Sequence, residues 1–140
     1  MDNSHRVIAE FEHRLFGRPL ADLVSKLTID ARLTRAWRLI ESGYADQDLN
    51  LKMAARTAGV SANHLNVLFL RTIGFTFHRF LIHYRLIKAV SYMKLGDRGT
   101  LEIALDVGFG SSSALERNLR KYLNACATGL RLSLLERKDS

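Results

Sequence analysis

A short pattern occurs twice in this chain, and it constrains the fold more than any other feature. In the first copy Ala55 stands four positions before Gly59, and Val60 follows the glycine at once. In the second Ala104 stands four positions before Gly108, and Phe109 follows. Each glycine leads into an apolar run of helical period: Leu65, Leu68 and Phe69 in one copy, Leu115 and Leu119 in the other, about 50 residues further on. The interval from glycine to the first leucine is six residues in the first copy and seven in the second. A helix, a tight turn through glycine and a second helix make a helix-turn-helix unit. The small alanine lets the two helices approach closely. The glycine permits a positive φ that other residues resist, and the hydrophobe after it plugs the angle between the helices. The second helix then buries one face and leaves the other free.

The remaining sequence is of the same kind. Pro19 is the only proline, strand-like alternation is nearly absent, and glycines fall between runs of helical period, so the expectation is an all-α chain with short connections. Residues 5–16 put Val7, Ile8, Phe11 and Leu15 on one face, and a short run with Leu20, Leu23, Val24 and Leu27 follows. Asp30 caps a helix carrying Leu33, Ala36, Trp37 and Ile40 that stops near Gly43. Asn50 and Ser61 are N-cap candidates for the two helices of the first repeat, and Gly74 is placed to end the second of these. A long helix is expected over residues 77–95, a short one over 100–107, another over 112–123 and a last one within 127–136. The division is an N-terminal helical extension over 1–30, a first helix-turn-helix subdomain over 31–75, a linker helix over 76–95 and a second subdomain over 96–136.

Charge narrows the partner. The chain of 140 residues has a formal net charge of +7, which favours a polyanion such as nucleic acid or an anionic membrane surface. Residues 1–30 hold four basic and five acidic residues, so the positive charge lies beyond them. Cys126 is the only cysteine, so no internal disulfide or thiolate metal site can form. His5, His13, His78 and His83 show no metal-ligand spacing. There is no signal-peptide run, no apolar stretch long enough to span a membrane, no phosphate-cradling glycine loop and no catalytic Ser, His and Asp arrangement. The expectation is a cytoplasmic protein that is not an enzyme, with no cofactor, no metal and no membrane partner.

The free faces of the second helices carry the chemistry. In the first unit Asn63, Asn66, Val67, Leu70 and Arg71 fall away from the buried side. Asn pairs bidentately with adenine and Val meets a thymine methyl. In the second unit Ser112, Ser113, Glu116, Arg117 and Arg120 are free. Arg117 suits guanine O6 and N7, the commonest specific contact, and Glu116 can accept from cytosine N4. His64, Arg71, Arg120 and Lys121 read as phosphate contacts. Each has a plainer alternative: a solvated charge for Arg117, a bare polar surface for Asn63 and Asn66, and helix capping for Ser112 and Ser113. The 19-residue helix between the copies spans about 28 Å. That is compatible with two reading helices in grooves about 34 Å apart.

With these residues in place, the stretch Leu51-x3-Ala55-x3-Gly59-Val60-Ser61-x2-His64-Leu65-x2-Leu68-Phe69 resembles the first helix-turn-helix of the AraC/XylS family of bacterial transcription activators. Ile103-Ala104-Leu105-x2-Gly108-Phe109-Gly110-x4-Leu115-x-Arg117-x-Leu119-Arg120-Lys121 resembles the second. The resemblance covers about residues 32–132. It implies two helix-turn-helix subdomains joined by a linker helix, specific binding to double-stranded promoter DNA, and contact with RNA polymerase in activators. The chain departs from the family pattern at Val67 and Leu70, where polar or basic residues are usual. It departs again at Phe77 and Ala127, which replace prolines, and at Asn124, which replaces a glycine.

The N-terminal extension leaves three fates open. Its apolar face docks on the rest of the chain, pairs with a second copy to give a homodimer through residues 5–27, or is the tail of a sensor domain. About 30 residues are too few for a sensor domain of the usual size. A competing reading of the whole is a protein-interaction module on a degenerate helix-turn-helix scaffold, with weak and sequence-blind DNA binding, motivated by Val67, Leu70 and Glu116.

Overall fold

The computed structural model describes residues 4–138, and among them there are nine helices and no strand. They are α1 Ser4–Phe16, α2 Leu20–Leu27, α3 Ala31–Gly43, α4 Leu51–Ala58, α5 Ala62–Ile73, α6 Phe77–Leu95, α7 Thr100–Asp106, α8 Ser112–Leu123 and α9 Ala127–Lys138. The all-α expectation holds, and the helix ends follow from local chemistry. Asp30 accepts from Arg32 N, Asn50 from Met53 N, Ser61 from His64 N, Thr76 from Arg79 N and Ser111 from Ala114 N. Each cap satisfies a backbone donor that the first helical turn leaves without a partner. The cap of α8 is therefore Ser111 and neither Ser112 nor Ser113.

The two repeats share their turn chemistry as well as their sequence. Gly59 has φ 79° and Gly108 φ 95°. Past each glycine the chain folds back by the same bond: Val60 N to Ala55 O at 3.0 Å, and Phe109 N to Ala104 O at 2.9 Å. This is the glycine-terminated helix end that frees the next helix to turn away. Gly110 adds one residue to the second turn and also has positive φ, at 82°.

Helix α6 is the axis of the molecule. Phe77, Phe80, Leu81, His83, Tyr84, Arg85, Leu86, Ile87, Ala89, Val90 and Met93 are all buried along it. A helix buried on most of its sides needs neighbours all round, and α1, α5, α7, α8 and α9 supply them. The first unit packs as α3 on α4 and α4 on α5, and the second as α7 on α8. No single described helix is long and apolar enough to cross a membrane; the pair α5 and α6 has the length but is bent by 60°.

The apolar face of the extension docks on the rest of the chain. Val7, Phe11, Leu15 and Phe16 of α1 and Leu23 and Leu27 of α2 are each exposed by 6% or less, and they belong to the same core as α6. Burying side chains of this size contributes about 1.5–3 kcal/mol each. The apolar face of residues 5–27 is thus covered by the chain itself.

Candidate nucleic-acid interface

Helices α5 and α8 are each 12 residues long, start from a serine cap and end on a left-handed residue, Gly74 at φ 78° and Asn124 at φ 49°. Asn is the residue that tolerates this conformation best after glycine, so Asn124 does what a glycine does at the same place in the first repeat. Leu65, Phe69 and Ile73 face the core from α5, and Leu115, Leu119 and Leu123 from α8.

The opposite faces are uncovered. On α8, Ser113, Arg117, Arg120 and Lys121 are exposed. On α5, Asn63, His64, Leu70 and Arg71 are exposed and Val67 is half-buried. Helix α2 packs against α5, yet Leu70 remains 49% exposed, so the extension does not hide this face. Among the described residues no carboxylate pairs with Arg71, Arg117, Arg120 or Lys121. Three neighbouring cations on one short helix, none of them in a salt bridge, create a field that favours a polyanion.

Two residues expected on the free faces are otherwise engaged. Asn66 Oδ1 accepts from Phe77 N at 3.1 Å. Glu116 Oε1 accepts from Ala127 N at 2.9 Å. Both sit at the same place in their repeats, and both cap the helix that follows. Glu116 is half-buried, and so is Ser112. The expectation that Asn66 and Glu116 are free is not met, because a backbone N–H at a helix start needs an acceptor and these side chains are within reach.

Between the two units lies a cleft of about 330 Å³ lined by Gln47, Asp48, His78, Arg85, Phe109 and Asn118, among others. Arg85 holds its floor. It is 6% exposed and donates from Nε to Tyr44 O at 2.9 Å and from Nη2 to Asp46 O at 2.8 Å. Burial pulls the guanidinium below its usual pKa, and two carbonyls stand in for the lost water. Gly108 sits against this pair: a Cβ there would overlap the Tyr44 carbonyl oxygen and lie 2.7 Å from Arg85 Nε. The turn of the second unit is therefore pinned to the loop after α3 of the first.

Sequence reasoning missed Arg14, His83 and Arg85. Arg14 Nη2 donates to Leu123 O at 2.7 Å, and His83 Nδ1 bonds Leu15 O at 2.7 Å. Arg35 Nη2 likewise reaches Ala58 O at 3.0 Å, at the end of α4. None of these pairings has a local signal. The position shared by Asn66 and Glu116 in the repeat is the one clue that the sequence offered to their common role.

Comparison with known proteins agrees with the fold. The family model for a helix-turn-helix domain matches residues 54–133. No curated protein matches the chain. Among solved structures it is similar to the C-terminal domain of the two-component response regulator yesN from Fusobacterium nucleatum subsp. nucleatum ATCC 25586, with 24% identity and a TM-score of 0.66 over 69% of this chain and 93% of that one. It is similar to the C-terminal domain of AraT, a response regulator from Geobacillus stearothermophilus, with 22% identity and a TM-score of 0.71 over 74% and 86%. It is also similar to a transcriptional regulator from Chromobacterium violaceum, of the AraC-type DNA-binding domain-containing proteins, with 24% identity and a TM-score of 0.66 over 74% and 91%. At these identities the likeness is one of fold.

Proposed function

This chain belongs to the AraC-type helix-turn-helix family, and from that premise we propose that it is a transcriptional regulator that reads promoter DNA with α5 and α8 in successive major grooves. One observation carries the reading: two equivalent helices of a tandem repeat each keep an uncovered polar face. On α8, Arg117 is the base reader, bidentate to guanine O6 and N7. Ser113 contacts the neighbouring base edge, and Arg120 and Lys121 hold phosphates. On α5, Asn63 pairs with adenine and Val67 and Leu70 meet thymine methyl groups, while His64 and Arg71 hold phosphates. Asn66 and Glu116 leave the reading set because their acceptor oxygens are engaged, and the half-buried Ser112 gives way to the exposed Ser113. Contact with RNA polymerase, which the resemblance implies, belongs to the same proposal.

A selection of bound sequences from a random DNA pool tests the reading. An enriched motif with two half-sites about one helical turn, roughly 10 base pairs, apart supports both helices reading DNA. A single half-site overturns the two-groove part, and no enrichment overturns sequence-specific binding altogether. The exposure of Leu70, 49%, favours a second reading in which the α5 face docks a protein while α8 alone holds DNA. The single half-site is its signature.

A further inference from the structure

Helices α1 and α2 precede the stretch that the family model matches, yet they touch every part that has to be aligned for reading. Helix α1 packs along α6 and reaches α8, and α2 packs on α3 and α5. Their joint is a knot of side chains from three helices and the turn before α6. Phe16, at the end of α1, stacks with Phe75 at 6.1 Å, Phe80 at 5.7 Å and His83 at 5.8 Å between ring centroids. His83 of α6 lies 4.5 Å from the ring of Tyr122 of α8, and the guanidinium of Arg79 lies over both Phe75 and Tyr122.

Two polar bonds cross the same joint in opposite directions. The carbonyl of Leu15, in the last turn of α1, accepts from the buried ring of His83 at 2.7 Å. Arg14, one residue earlier, donates to the carbonyl of Leu123 at 2.7 Å, the last residue of the reading helix α8. A cation at a helix C-terminus meets both the unpaired carbonyls and the negative end of the helix dipole. Any rotation of the second unit about α6 would break the Arg14 bond and draw Tyr122 off His83. Packing of α2 on α5 fixes the first unit to the same N-terminal segment.

We infer that the α1–α2 segment is a brace that sets the angle between the two reading helices and so selects the spacing of half-sites on DNA, with Arg14 as a positioning residue. The inference rests on the proposed function for its consequence on DNA, and on the geometry alone for the brace itself.

The test has two arms. In the first, nitroxide labels are placed on exposed Thr57 of α4 and exposed Glu102 of α7, as Thr57→Cys and Glu102→Cys in a Cys126→Ser background, and their distance distribution is measured by pulsed electron resonance. The distribution is narrow with Arg14 present and broadens in Arg14→Ala; an unchanged distribution overturns the brace. In the second, binding is measured to a set of sites whose half-site spacing differs by about one or two base pairs. Arg14→Ala lowers the discrimination between spacings by up to about tenfold, the factor that one charge-assisted hydrogen bond can carry, while Arg14→Lys restores part of it. Full discrimination retained by Arg14→Ala overturns the role in spacing. A narrow distance distribution in a chain that binds no DNA would sink the proposed function and leave the brace standing.

Discussion

Glu116 accepts the backbone N–H of Ala127, eleven residues further on, and Asn66 accepts that of Phe77 across the same interval. A proline at either recipient position would have no N–H to satisfy. Phe77 and Ala127 instead present two donors at helix starts, and one residue each of α5 and α8 supplies the acceptor. This coupling predicts a double-mutant cycle. Glu116→Ala costs about 1 kcal/mol, as the loss of a helix-start acceptor does, whereas Glu116→Gln keeps an acceptor and most of the stability. In an Ala127→Pro background, proline being compatible with a first helical position, Glu116→Ala costs almost nothing. Urea denaturation of the four proteins measures the coupling, and equal costs in both backgrounds would refute it.

The two turn glycines are alike in conformation and unlike in surroundings, so alanine at each should have different effects. Gly59→Ala meets only Arg35 Nη2, at 3.9 Å, and costs about 1 kcal/mol for the left-handed backbone alone. Gly108→Ala adds an overlap with the Tyr44 carbonyl and a close approach to Arg85. The backbone of Tyr44 cannot swing away as a side-chain tip can, so the cost rises to about 3 kcal/mol or more. Thermal unfolding of both variants checks the order; equal losses would mean that the second turn is not pinned to the first unit.

His83 predicts an acid-sensitive joint. Burial first, and then the nearby charge of Arg79, hold its pKa down to about 4 from the ordinary 6.5, and the bond to Leu15 O only partly opposes this. The unfolded chain therefore binds a proton between pH 6.5 and 4 that the folded chain does not. Stability is complete above pH 6.5 and falls as the pH drops toward 4, by up to about 3 kcal/mol. His83→Phe removes the titration, so its stability should depend less steeply on pH in that window even though it is lower at pH 7. An unchanged slope would show that other groups dominate.

Arg117 and Lys121 should separate specificity from affinity. Arg117→Ala lowers binding to the preferred site by about 1–3 kcal/mol and relaxes the preference at one base pair. Lys121→Ala weakens binding to all sequences alike and reduces the slope of log affinity against log salt by about 0.9. Titrations at several salt concentrations, on preferred and scrambled duplexes, distinguish the two; a loss of preference on Lys121→Ala would reverse the assignment.

What the sequence determined by itself is what depends on near neighbours. Helix boundaries, the caps Asp30, Asn50 and Ser61, and the glycine turns at Gly59 and Gly108 follow from backbone geometry within about five residues and were legible; the cap of α8 fell at Ser111, one residue before the serines expected to supply it. So was the tandem arrangement, because the same local solution is written twice. Tertiary structure alone decided which polar residues on α5 and α8 stay free. Asn63 and Asn66 are the same residue type on the same helix, yet only Asn66 lies where the next helix begins. Packing also decided the fate of α1 and α2: an apolar face has to be covered, but its period does not say by what. Arg14 and Leu123 are 109 residues apart, and only the folding of both helices onto α6 brings a cation to the end of that carbonyl ladder.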